Sequence, residues 1–133
     1  MSRNQLTLAR VFLAVYLLAV AWLCFGHFGS MPDVPRFLLG IPMDKIVHFL
    51  MFLPFPFLTY FAFNRFTERL GSSALYVLAT FVAGAILAAG TEIAQARLTT
   101  WREGDPADFQ ADLLALGLGS LAILLIIFWK QRK

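Results

Sequence analysis

The sequence predicts an all-α fold: an integral membrane four-helix bundle with both termini cytoplasmic. Three observations carry that prediction. Of 133 residues, 59% are hydrophobic, 14 are Phe and only 14% are charged, against roughly 25% charge in an ordinary soluble domain. Four apolar runs, 8–25, 46–63, 74–94 and 109–129, each hold 18 to 21 residues, close to the ~20 that a helix needs to cross a bilayer core. Finally, cations are shared unequally. If both termini lie on one side, that side holds Arg3, Arg10, Arg65, Arg69, Lys130, Arg132 and Lys133, leaving Arg36, Lys45, Arg97 and Arg102 on the other. An excess of Lys and Arg marks the cytoplasmic face, which places the protein in the cell (inner) membrane as a multi-pass chain.

The runs are joined by "GHFGSMPDVPRFLLGIPMD", "NRFTERLGSS" and "QARLTTWREGDPAD", with the Gly, Pro, Ser and charge of connecting segments. No composition shift, repeat or low-complexity tract marks a second domain, so residues 1–133 are read as one transmembrane domain. The net charge of +3 covers two unlike surfaces. Glu68 is the inner acid, whereas Asp33, Asp44, Glu92, Glu103, Asp105, Asp108 and Asp112 belong to the outer loops or outer span ends. The basic "WKQRK" suits an anionic inner leaflet and not nucleic acid. Cys24 is the single cysteine, which excludes an internal disulfide and a Cys-based metal site.

In the first span, Arg3 and Arg10 precede an apolar stretch as in a secretion signal. The stretch is too long, however, and "CFGHFGS" lacks a small-x-small cleavage pattern, so it reads as a retained signal anchor. The second span opens with "MDKIVHF". Asp44 is placed to cap the helix and Lys45 to snorkel to the interface, while His48 falls about one turn, roughly 5 Å, inside the membrane end. Pro54 and Pro56 remove two backbone donors in mid-span and predict a kink, with a transporter-like broken helix as the alternative.

The third span carries small residues four apart, Gly84 with Ala88 and Ala85 with Ala89, which let another helix approach closely. The fourth span answers with Ala115 and Gly119, and the two are expected to touch. Glu92 and Gln95 share a face near the outer end. A charge within a span costs on the order of 3 kcal/mol, so Glu92 reads as functional; neutralisation by Arg97 or Arg102 is the structural alternative. The fourth span begins "GDPADFQAD", with Asp105 as N-cap, Pro106 at the first helical position and Asp108 complementing the helix dipole. Asp112 lies a turn further in, beyond the reach of any cap. His48, Glu92, Asp108 and Asp112 thus lie at similar depth, and with Lys45, Arg97 and Arg102 they are expected to line a polar pocket opening outward, shielded from lipid.

Three blocks in this order resemble the VanZ-like membrane proteins. Asp44, Lys45, His48 and Phe49 match an Asp-Lys-x-x-His-Phe segment, Glu92 and Gln95 a Glu-x-x-Gln segment, and Arg102 and Asp108 an Arg followed by Asp, with glycines after. The resemblance spans about residues 44 to 119. It departs at Asp112, where the family usually has Asn, and at Ala115, where a Gly is common. The family takes its name from a protein associated with teicoplanin resistance, so the resemblance implies an envelope-related membrane protein.

The function expected is binding of an amphiphilic antibiotic or lipid-linked cell-wall component at the outer pocket. Asp44, Lys45, Gln95, Arg102 and Asp112 are the ligand-binding candidates. Lys45 and Arg102 suit anionic groups, and the carboxylates accept from amides or hydroxyls. An alternative is a membrane-embedded hydrolase or transferase with His48, Glu92 and Asp108 as catalytic candidates and His48 or Glu92 as general base. A hard cation on Glu92, Asp108, Asp112 and His48 is a variant of that alternative, although no HExxH-like spacing is present and no metal or cofactor is assigned. A proton-coupled exporter would want a site nearer the midplane. A scaffold would use the same polar residues only to knit the bundle.

Overall fold

In a computed structural model the residues described are 2–25, 37–63, 70–100 and 106–132. They form α1 (Arg3–Phe25), a two-residue strand pair β1 (Phe37–Leu38) and β2 (Ile41–Pro42), α2 (Met43–Phe52), α3 (Pro54–Phe63), α4 (Leu70–Leu98) and α5 (Pro106–Gln131). Four stretches are long and apolar enough to cross a membrane: Arg3–Phe25, Lys45–Phe63, Ser72–Leu98 and Pro106–Gln131. The helices outrun the apolar runs read from sequence because backbone hydrogen bonding continues past the hydrocarbon edge until a cap ends it. At α1 that cap is a reciprocal box. The Ser2 amide donates to Gln5 Oε1 at 2.8 Å and the Gln5 amide to Ser2 Oγ at 3.2 Å, which satisfies two of the amides a helix start leaves open. Pro106 opens α5, as expected of a residue with no amide hydrogen to lose.

Ahead of α2 the chain makes a tight antiparallel hairpin, with Phe37 opposite Pro42 and Leu38 opposite Ile41. Its central residues, Leu39 and Gly40, have φ of 53° and 79°, the positive values that two-residue hairpins require. The sequence predicts only a connection here, since two-residue strands are too short to leave an alternating pattern.

The second span is broken at Leu53, between α2 and α3. Pro54 and Pro56 lack the amide hydrogens that would reach the Leu50 and Phe52 carbonyls. The Leu53 amide still closes the last turn of α2 on the Phe49 carbonyl at 3.0 Å. The Met51 carbonyl, whose helical partner Phe55 lies across the break in α3, accepts from Tyr16 Oη on α1 at 2.5 Å. A phenol inside an apolar span needs such a partner, and a proline break supplies one. Lower down, Tyr76 Oη on α4 donates to the Thr59 carbonyl of α3.

α5 packs against α2, α3 and α4, and α1 against α3 and α4. The core joins Val20, Cys24, Met51, Phe52, Phe55, Ala88, Ala115 and Leu116. The expected contact of the third and fourth spans is extensive, but its details differ from the small-residue reading. Gly84 receives Leu116 and Phe55, whereas Gly119 faces Pro56 and the Leu53 carbonyl at the break. A Cβ on Gly119 would stand 2.8 Å from Pro56 Cγ and 3.2 Å from the Leu53 oxygen. Neither a proline ring nor a backbone carbonyl can rotate aside. Gly119→Ala is expected to cost about 1–3 kcal/mol by reversible unfolding in detergent. Gly84→Ala, which meets mainly the rotatable tip of Leu116, should cost less, and equal costs would refute this account of the break.

The termini share one end of the bundle. Arg10 Nε donates to the Ala62 carbonyl at 3.2 Å and its guanidinium lies over Phe63, while Lys130 Nζ lies over Tyr60. The first turn of α2, the last turns of α4 and the first turns of α5 lie at the other end, which is where the polar side chains gather.

Candidate functional site

Lys45 and His48 are three residues apart on α2, and Asp108 and Asp112 four apart on α5, so each pair projects from one helix face. α2 and α5 pack together, which turns the two faces toward each other. Lys45 Nζ donates to Asp108 Oδ1 at 2.6 Å. His48 Nδ1 is 2.9 Å from Asp112 Oδ1, and Nε2 is 3.4 Å from Asp108 Oδ2. α4 contributes Glu92, whose Oε1 is 3.6 Å from His48 Nδ1. Three of the four spans therefore meet at one imidazole. His48, Glu92, Asp108 and Asp112 are all buried, Asp112 with 0% exposure.

The convergence expected of His48, Glu92, Asp108, Asp112 and Lys45 is thus present in the geometry. It takes the form of a tightly bonded knot. The most open member is Lys45, with 19% of its side chain exposed. A crevice too narrow for a water molecule lies elsewhere, between Pro56, Tyr76, Val77, Thr80, Ser120 and Ile123.

Gln95, expected to bind ligand, serves another contact. Its Nε2 donates to the Cys24 carbonyl at 2.8 Å, and it is 2% exposed. This bond satisfies one of the carbonyls that the end of α1 leaves open and clasps α1 to α4 one turn beyond Glu92. Arg97 lies in the last turn of α4 and is exposed. The Asp44 side chain and all of Arg102 and Asp105 lie outside the described residues, as do the connections 26–36, 64–69 and 101–105.

Chemically, the knot sets three carboxylates and an ammonium around one imidazole in a poorly hydrated place. Such groups hold protons or cations, donate to anions through Lys45, or act as acid and base. A carboxylate oxygen stands against each ring nitrogen, Asp112 Oδ1 on Nδ1 and Asp108 Oδ2 on Nε2, and the shorter Asp112 contact orients the ring. Sequence reasoning missed Tyr16 and the Cys24 carbonyl as elements that hold this end together. A hydroxyl in an apolar span opposite two prolines was the signal available for Tyr16; a backbone carbonyl gives none.

Comparison with protein-family models, curated proteins and solved structures yields no match to this chain.

Proposed function

We propose that this chain is a VanZ-like protein of the cell envelope, inserted in the inner membrane with both termini cytoplasmic and the charged knot on the outer side. There it binds the polar head of an amphiphile, a teicoplanin-type glycopeptide or a lipid-linked wall component, and contributes to resistance. The single observation that supports this reading is the gathering of charged groups from three spans at the end opposite the basic termini. Burying them is costly, and a binding task gives a reason to retain them. Lys45 is the point of first contact in this reading: an anionic group on the ligand would draw its ammonium away from Asp108.

A second reading is favoured by the His48–Asp112 bond of 2.9 Å, since a carboxylate that orients an imidazole is the arrangement of a general base. In it the protein is a hydrolase or transferase acting on an envelope substrate, with His48, Glu92 and Asp108 in the reaction. Loss of turnover in Glu92→Gln with ligand binding retained would select it.

The test compares antibiotic susceptibility of cells expressing the wild type, His48→Ala, Glu92→Gln and Asp108→Asn, with membrane abundance measured in parallel. Each variant is expected to lose most of the protection at equal abundance. Protection equal to the parent in all three would remove the ground for a binding role.

A further inference from the structure

We infer that His48, Glu92 and Asp108 form a site for one divalent transition-metal ion, with Asp112 holding the imidazole in its ligating orientation. The inference stands on the geometry of the knot and is independent of the envelope reading.

One ligand atom each from His48, Glu92 and Asp108 lies within 4.8 Å of the other two, and all three residues are buried; Glu92 Oε1 lies 3.6 Å from Nδ1, so its carboxylate swings toward Nε2 to join the ion. An ion with bonds of about 2.0–2.1 Å to nitrogen and oxygen sets neighbouring donors roughly 3.3 Å apart in a tetrahedron. His48 Nε2 and Asp108 Oδ2 are 3.4 Å apart, longer than a good N–H···O bond and close to that edge. Asp108 divides its two oxygens: Oδ1 goes to Lys45 at 2.6 Å, and Oδ2 is left for the ion.

The imidazole is prepared for the task. Metal-bound histidines ordinarily give the other ring N–H to a carboxylate or carbonyl, which sets the tautomer and raises the basicity of the ligating nitrogen. Asp112 Oδ1 at 2.9 Å from Nδ1 does this. The other Asp112 oxygen is an independent sign. Oδ2 is buried and has no hydrogen-bond partner among the described residues, on a side chain with 0% exposure. A buried carboxylate with one oxygen unbonded depends on its single bond for compensation, and an ion on Nε2 would make the Nδ1–H a stronger donor to it.

One imidazole and two carboxylates suit Zn²⁺, Mn²⁺ or Fe²⁺ better than Ca²⁺ or Mg²⁺, which prefer all-oxygen shells. Three protein ligands also leave a coordination position open. No sequence motif announces the site because its ligands come from three helices and not from two positions on one.

The test uses the full chain purified in detergent, with any affinity tag removed and metal stripped by chelator. It is then titrated with Zn²⁺ alone, the bound metal is counted, and the absorption spectrum of the Co²⁺-loaded protein is recorded. The wild type is expected to take up one ion per chain. His48→Ala and the near-isosteric Asp108→Asn and Glu92→Gln should each weaken binding by about 100-fold or more, and Asp112→Asn by about 10-fold, with a shifted Co²⁺ spectrum. Asn still accepts from Nδ1 but brings no charge. If His48→Ala does not fold, the two isosteric variants carry the comparison. Absence of uptake by the wild type, or uptake undiminished in the variants, would overturn the site and identify the knot as a network held by shared protons.

Discussion

Lys45→Met is expected to destabilise the folded bundle by about 3 kcal/mol, a sizeable fraction of the roughly 5–15 kcal/mol that holds a native domain together. The Lys45–Asp108 pair is short, 2.6 Å, with side-chain exposures of 19% and 10%. Removing the ammonium leaves a carboxylate in a poorly hydrated place beside Asp112 and Glu92, and an uncompensated buried charge is what makes such truncations costly. The companion variant decides the cause. Lys45→Met combined with Asp108→Asn removes the orphaned charge as well, so the double variant should lose less than the single. Reversible unfolding in mixed micelles measures both. A double variant as unstable as Lys45→Met would show that the lysine acts through packing of its stem and not through charge.

Phe52→Ala should cost about as much, roughly 3–5 kcal/mol. Phe52 is the last residue of α2, has 0% exposure, and belongs to the core with Val20, Cys24, Phe55, Ala88, Ala115 and Leu116. Within a bilayer, transfer from water contributes little to helix association, so the loss comes from van der Waals contacts and the cavity left behind. Leu50→Ala, two positions earlier, is the control. Leu50 is 59% exposed, so its side chain meets lipid both before and after the helices associate, and its truncation should cost well under about 1 kcal/mol. A similar loss in both would contradict the burial pattern of α2.

The membrane character of the fold was legible because span length and apolar composition are set by the bilayer's thickness, a property outside the protein. The knot was legible for a related reason. Charge inside a span is expensive enough that His48, Glu92, Asp108 and Asp112 had to find one another, and their depths could be counted in turns from the span ends. What escaped were features that depend on which helix face meets which neighbour. Gly119 and Ala115 share a small-residue spacing with Gly84 and Ala88, and spacing alone does not tell that Gly119 serves the proline break and not α4. Gln95 likewise shares a face with Glu92, yet it reaches the Cys24 carbonyl, a group identical in every residue. The proline pair announced a disturbance in the second span, whereas its position at Leu53 and its satisfaction by Tyr16 needed the arrangement of α1.

That arrangement has a practical outcome. None of the charged members of the knot comes from α1, which buries only Val20 and Cys24 and is fastened by Tyr16 to Met51, by Cys24 to Gln95 and by Arg10 to Ala62. A helix attached by a few side-chain latches, in a medium where each span forms before spans associate, need not be covalently joined to the rest. Two separately synthesised pieces, one ending and one beginning between α1 and β1, should reassemble by complementation in trans, with Tyr16→Phe weakening the reunion.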